Sequence, residues 1–232
     1  VRTWLSPRGA LAAVLVGLTI ATGTGWRGVL VLLVFFVTSS LLTPGGGRRR
    51  AVQVLANGGV PALCALLAPL DPRFAAAFVG ALAAAAADTW STEIGTRGRA
   101  APRLVTTWRR VAPGTSGGVT ALGTAGGAAG ALAVTLTAVA TGLLPGVAAP
   151  WVAAAGLAGA LADSLAGAAV QARYRCGGCG ADSEEPVHAC GAAAKLTGGL
   201  PWMTNDAVNV VATLVGALLA GVPVAVRGPL QP

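Results

Sequence analysis

The sequence predicts an all-α fold: a polytopic transmembrane helical bundle of about seven helices, with the N-terminus in the cytoplasm. Three observations predict it. Only 10% of the 232 residues are charged and 54% are hydrophobic, whereas soluble domains carry about 25% charged residues; the mean hydropathy is +0.71. The apolar residues gather into runs of the roughly 17–25 residues that cross a bilayer as a helix. The basic residues fall almost entirely on one side once the connecting loops alternate across a membrane.

Taken in order, the spans lie near 9–25, 27–43, 51–69, 73–95, 117–144, 147–172 and 205–226. The first follows Arg2 and Arg8, a pattern that also begins signal peptides. No small-residue cleavage site with a soluble domain behind it comes next, so a retained helix is expected. The second closes on a tight turn at Pro44–Gly47 ahead of Arg48, Arg49 and Arg50. Cys64, inside the third, reads as packing. The fourth leads into an Arg-rich loop at 96–116, which runs into Pro113-Gly114-Thr115-Ser116-Gly117-Gly118. The fifth carries Gly123/Gly127 and Gly126/Gly130, a spacing that brings helices close. Pro145 and Pro150 bracket a short turn before the sixth. The loop at 173–204 is the longest polar segment and holds three of the four Cys and the only His. Leu, Val and Ala fill the spans without alternation, which excludes a β-barrel. Residues 1–232 therefore read as a single integral membrane domain bearing one Cys/His loop.

The net charge of +8 divides unevenly: 13 of the 16 basic residues fall on one side, and only Arg27, Arg73 and Arg227 on the other. Positive charge marks the cytoplasmic side, which places the 96–116 and 173–204 loops there. The expected location is a prokaryotic plasma membrane. No basic module with interleaved aromatics is present, so nucleic acid is not an expected partner.

Asp71, Asp182, Glu184 and Glu185 fall in loops, where a solvated carboxylate needs no explanation. Asp88, Glu93, Asp163 and Asp206 fall in the spans, where an ionisable group is costly and faces a partner or a water-filled cavity. The topology puts all four at the cytoplasmic level. Helical spacing aligns Asp88 with Ser91, Thr92 and Gly95, Asn205 and Asp206 with Asn209, and Arg50 with Gln53 and Asn57. Glu93 lies about 140° around the helix from Asp88. The two share a site only if the helix distorts near Gly95 or the site lies between helices. Carboxylates with Asn and Ser/Thr oxygens suit Mg²⁺ or Mn²⁺ carrying phosphates. Thr115, Ser116, Gly117 and Gly118 form a turn whose backbone N–H groups suit an anion; the same turn also reads as a plain helix entry with a Ser or Thr cap. For the acids, the alternative is that they tie helices together without chemistry.

Cys176-x2-Cys179 followed by His188-x-Cys190 supplies four ligands for a closed tetrahedral Zn²⁺ site, which assigns the loop a structural role. A reducing cytoplasm argues against a disulfide; unligated or redox-active thiols are the alternatives.

Together, Gln53-Val-Leu-Ala-Asn57-Gly58, Ala87-Asp88-Thr89-Trp-Ser91-Thr-Glu93-Ile-Gly95, the 113–119 turn, Asp163-Ser164-Leu-Ala-Gly167-Ala with Gln171, and Asn205-Asp206-Ala-Val-Asn209 resemble a polytopic membrane family long catalogued without a function. Its members include plant chloroplast phytyl-phosphate kinases. The Cys/His knuckle resembles a feature of prokaryotic members that the plant kinases lack. The resemblance implies a CTP-dependent kinase converting a prenyl monophosphate to its diphosphate. It adds Ser164 to the binding residues, with Arg50 or Arg109 and Arg110 neutralising charge. Rival readings are an ion-coupled transporter of lipids or small molecules, which predicts polar residues continuing across the membrane and an inverted repeat, and a scaffold with a zinc-stabilised loop.

Overall fold

The computed structural model describes residues 4–43 and 47–226, with no side-chain description for 223–226. Arg2, Arg227 and residues 44–46 of the expected turn lie outside the described residues. Six α-helices follow in order: α1 Pro7–Leu42, α2 Ala51–Leu67, α3 Pro72–Gly95, α4 Ala121–Ala140, α5 Ala149–Ala169 and α6 Asn205–Val226. All but α2 are long and apolar enough to span a membrane. The fold is that of a polytopic helical membrane protein.

The expected first two spans are the two arms of α1. A straight helix of its 36 residues would be about 54 Å long, well beyond a hydrocarbon core of about 30 Å. The helix breaks at Gly25 (φ 63°, ψ −157°), a conformation that a glycine adopts without penalty. The chain then returns alongside itself, and Trp4 meets Phe36 edge-on with ring centroids 5.8 Å apart. Counting these arms separately gives the seven expected rods. Leu5 bridges Arg49, through Arg49 N–H to Trp4 O at 3.0 Å and Ser6 N–H to Arg49 O at 3.1 Å. The start of α1 is thereby tied to the entry of α2.

Helix α3 is the axle. Every residue from Ala76 to Ala87 is buried, and α3 packs against all five other helices. Its alanines make that crowding possible, since association within a bilayer depends on close backbone approach. The α4 glycines expected to pack do so: Gly123, Gly126, Gly127 and Gly130 are all buried. A Cβ at Gly130 would lie 2.8 Å from Trp90, and one at Gly126 would lie 2.9 Å from Ile94. Large side chains face outward instead, as Leu11, Leu15, Leu63, Leu136, Leu165 and Leu218 do. Exposed Trp4, Trp108 and Trp202 stand near one end and Trp26 and Trp151 near the other, where indoles favour the membrane–water boundary.

The polar loops add what the sequence reading does not anticipate, two small antiparallel sheets. Strand β1 (Arg103–Leu104) pairs with β2 (Gly118–Val119). In the other sheet the order is β4–β3–β5, with β3 Arg173–Cys176, β4 Asp182–Ser183 and β5 Ala194–Gly198. Both lie at the end of the bundle where α3 and α5 finish and α6 begins. Arg27 marks the opposite end, donating to Gly142 O at 3.2 Å.

Candidate functional site

A cavity of about 500 Å³ opens at the loop-bearing end. It is lined by Gln53 of α2, by Asp88, Ser91, Thr92, Glu93 and Gly95 of α3, by Asp163 and Ser164 of α5, by Asn205, and by the 113–118 turn. Asp88 and Glu93 both reach it although α3 continues as a helix to Gly95. Of the two conditions for their meeting, the site between helices is the one realised. On α3 the lining ends at Asp88, since Ala87 immediately before it is fully buried.

Electrostatically the cavity sets four carboxylates, Asp88, Glu93, Asp163 and Glu184, against Arg49. Asp163 shares the lining with Asp88 and Glu184. Asp163 Oδ2 is buried without a hydrogen-bond partner. Among the described residues, Asp88, Glu93, Asp163 and Glu184 join no salt bridge. A buried carboxylate without a countercharge is strongly disfavoured, and all-oxygen donors are those a Mg²⁺ or Mn²⁺ ion takes. The donor type therefore suits such an ion, although among the described residues the ligand atoms close enough to share one are those of the Cys/His loop.

Glu184 is the member that its sequence context conceals. It sits in a polar loop with no helical period, yet it lines the cavity and accepts a hydrogen bond from the Ser116 hydroxyl. Helix α4 is capped instead by Thr120, whose hydroxyl oxygen accepts the Gly123 N–H at 2.9 Å. Ser116 is thus free of the capping role. In the turn, the N–H groups of Thr115 and Gly118 donate to Ala112 O and Thr115 O. Those of Ser116 and Gly117 have no such bond among the described residues. Gly117 adopts φ 79°, and a Cβ there would press 2.6 Å from Ser164 O and from Ala168 N, so only glycine brings the turn against α5. Gln171 also lines the cavity, and its Nε2 is buried without a partner.

The remaining expected residues stand apart. Arg50 is the N-cap of α2, its N–H donating to Gln53 Oε1 at 2.8 Å. Its guanidinium meets Glu185 at 3.4 Å and Asp206 at 3.9 Å. Asp206 therefore lies outside the cavity lining, paired with Arg50. Arg109 and Arg110 are exposed beside β1 and also outside it. The cation that does line the cavity is Arg49, which the sequence offers no reason to prefer over its neighbours. Burial draws its guanidinium down from the usual range, against the upward pull of Glu93. Asn57, whose amide donates to Gln53 O at 3.1 Å, and Asn209, which is buried, line an adjoining apolar groove with Arg49 and Gln53.

The Cys/His loop forms a second centre. Ligand atoms of Cys176, Cys179, His188 and Cys190 all lie within 4.8 Å of one another. Cys176 and Cys190 are 3.5 Å apart, Cys179 and Cys190 3.9 Å, and His188 Nδ1 is 3.2 Å from Cys190. Tetrahedral zinc with Zn–S of about 2.3 Å requires sulfurs about 3.8 Å apart, so the four residues can bind a metal such as zinc. The Cys179 backbone N–H, against the upward push of burial and with help from the Gly178 N–H and the neighbouring thiols, holds the Cys176 thiol down at about 6. A lowered thiol pKa of this kind favours the thiolate that a metal takes.

A family model described as integral membrane protein DUF92 matches residues 1–217. Among curated proteins, Protein PGR of Arabidopsis thaliana is 32% identical over 198 residues, covering 74% of this chain and 67% of its own. An uncharacterized membrane protein of Methanocaldococcus jannaschii is 29% identical over 227 residues, covering 93% of this chain and 84% of its own. No solved structure matches.

Proposed function

From the premise that the chain belongs to the DUF92 family of integral membrane proteins, we propose that it is a membrane-embedded, divalent-metal-dependent phosphotransferase. Its acceptor is a prenyl monophosphate of the phytyl type and its donor a nucleoside triphosphate, CTP. The observation that carries the reading is the convergence of Asp88, Asp163 and Glu184, which join no salt bridge among the described residues, on a cavity faced by the Ser116–Gly117 turn. The motif resemblance to phytyl-phosphate kinases supplies the substrate class.

Asp88, Glu93 and Asp163 would hold the ion, which when bound would supply positive charge to offset that of the nucleoside triphosphate and the acceptor monophosphate. Ser116 and the free N–H groups of the turn take a donor phosphate, and Arg49 takes the acceptor's. An oxygen of the prenyl phosphate forms the new bond to the γ-phosphorus as the bond to the β–γ bridging oxygen breaks. The products are prenyl diphosphate and the nucleoside diphosphate. The acceptor is already an anion, so no general base is required, and catalysis rests on positioning and charge. Asp206 and Arg50 hold the rim. The basic excess at the cavity end supports a cytoplasm-facing site in a prokaryotic plasma membrane. Against the transporter reading, α3 carries no polar side chain between Ala76 and Ala87.

Purified chain given Mg²⁺, each nucleoside triphosphate and prenyl phosphates should form the diphosphate, fastest with CTP. Asp88→Asn and Asp163→Asn should each lower kcat about a hundredfold or more, the scale of losing a group that stabilises transition-state charge. Unchanged activity in both would show that the site is wrongly assigned.

A further inference from the structure

Beside the polar cavity lies a groove of about 390 Å³ with a different character. One wall is formed by the two arms of α1, with Ala13 and Val16 on the first and Leu33 and Phe36 on the second. The other is α2 with Gly58, joined by Thr89 of α3 and Asn209 of α6. Three residues, Arg49, Gln53 and Thr89, line both the groove and the polar cavity. The two spaces therefore meet. Arg49 stands at the junction, its guanidinium 5.6 Å from the Phe36 ring centroid on the apolar side and subject to the Glu93 charge on the polar side. The outer rim is open to the bilayer, with Val14 56% and Leu33 48% exposed.

We infer that this groove is the binding slot for the prenyl chain of a lipid monophosphate, whose phosphate rests on Arg49 at the mouth of the polar cavity. The naming of the lipid rests on the phosphotransferase reading. The slot itself stands on the continuity of the two spaces and on the cation placed at their junction. Its volume is in the range of about 300–1,000 Å³ typical of small-molecule sites. A chain entering sideways from the membrane between the α1 arms and α2 exchanges lipid contact for protein contact. The binding energy then comes from the head group and from shape rather than from dehydration. Gly58 lets α2 close against Val16, where a Cβ would lie 3.0 Å from its Cγ1, while the small side chain of Ala13 leaves room in the groove, so bulk at Ala13 sets the chain length accepted.

The test uses the full chain in nanodiscs and geranylgeranyl phosphate carrying a diazirine on its terminal isoprene. Photolysis should label the segments 10–16 and 32–36, competed by unlabelled geranylgeranyl phosphate and not by phosphatidic acid. Label spread over the outward leucines, or competed equally by phosphatidic acid, would overturn the slot and leave only bulk lipid contact. Ala13→Phe, and Val14→Trp on the exposed rim where core packing is untouched, should each weaken competition by geranylgeranyl phosphate about tenfold. Competition by geranyl phosphate should stay unchanged. Equal weakening for both lengths, or none, would also sink the proposal. The readout separates the two ideas: specific labelling without phosphoryl transfer keeps the slot and removes the kinase, whereas diphosphate formation with label elsewhere does the reverse.

Discussion

Adjacent arginines of one chemistry have different fates. Arg49 and Arg50 follow one another at the entry to α2, yet Arg49 lines the cavity and stacks on Phe36 while Arg50 turns out to Glu185 and Asp206. The Arg50–Glu185 pair is exposed on both sides, and such pairs contribute about 0–1 kcal/mol. A charge-assisted contact to a desolvated phosphate contributes about 1.5–3 kcal/mol. Arg49→Gln should therefore raise KM for prenyl phosphate about tenfold or more with little change in nucleotide KM, and Arg50→Gln should shift either by no more than about threefold. Steady-state kinetics on the two variants would check this, and equal effects would remove Arg49 from the head-group site. Helical spacing singles out Arg50 because it shares a stripe with Gln53, but that relation turns out to be a capping bond. Glu184 is hidden for a different reason. Its role arises from a fold-back of the Cys/His loop onto Ser116, which no local period encodes. Asp88, Glu93 and Asp163 are legible because a carboxylate in an apolar run is conspicuous on cost alone.

Among the elements, the α3–α4 contact shows how small residues set the geometry of the site. A Cβ at Gly127 would collide with Ser91 Oγ and approach Ala87 O at 3.0 Å, and Ser91 also lines the cavity. At Gly59 in α2 a Cβ would meet nothing within 4 Å. Replacing a mid-helix glycine by alanine gains up to about 1 kcal/mol in helix propensity, whereas overpacking costs about 1–3 kcal/mol. Gly127→Leu should therefore lower Tm by several degrees, at about 2–4 °C per kcal/mol for a chain of this size, and reduce activity by displacing Ser91. Gly59→Ala should leave Tm unchanged or raise it. Thermal unfolding in one detergent would decide, and similar shifts for both variants would deny the close packing. The helices are legible in the sequence because bilayer thickness fixes their length, and even the Gly25 break falls on the last residue of the first expected span. The five strands are not, because pieces of two to five residues within the polar loops carry no readable alternation and exist only through the loop contacts that pair them.

Across the whole molecule, the metal loop closes over the bundle. Strand β4 lies between the two knuckles, and the two residues after it reach in different directions: Glu184 to Ser116 in the turn before α4, and Glu185 to Arg50 at the start of α2. A metal at Cys176, Cys179, His188 and Cys190 would hold that strand in place, so loop rigidity is transmitted to the mouth of the cavity through two carboxylates on one short segment. The residues that would hold a zinc ion are remote from the acids in chemistry, with sulfur and imidazole donors rather than oxygens, so the two metal requirements are separable. A zinc-selective chelator or Cys179→Ser should release about one zinc per chain, measured by elemental analysis. Backbone hydrogen exchange should then quicken over 113–118 and 47–53, while the transmembrane helices stay protected. Nucleotide KM should rise severalfold, because the turn that receives the phosphate is no longer held, while Mg²⁺-dependent turnover at saturating nucleotide persists. Faster exchange confined to 173–204, with kinetics unchanged, would mean that the loop stabilises only itself. Abolition of turnover at any nucleotide concentration would instead place the zinc within the reaction. The graded outcome is the one expected when a distant metal acts by ordering a lid of two acidic contacts.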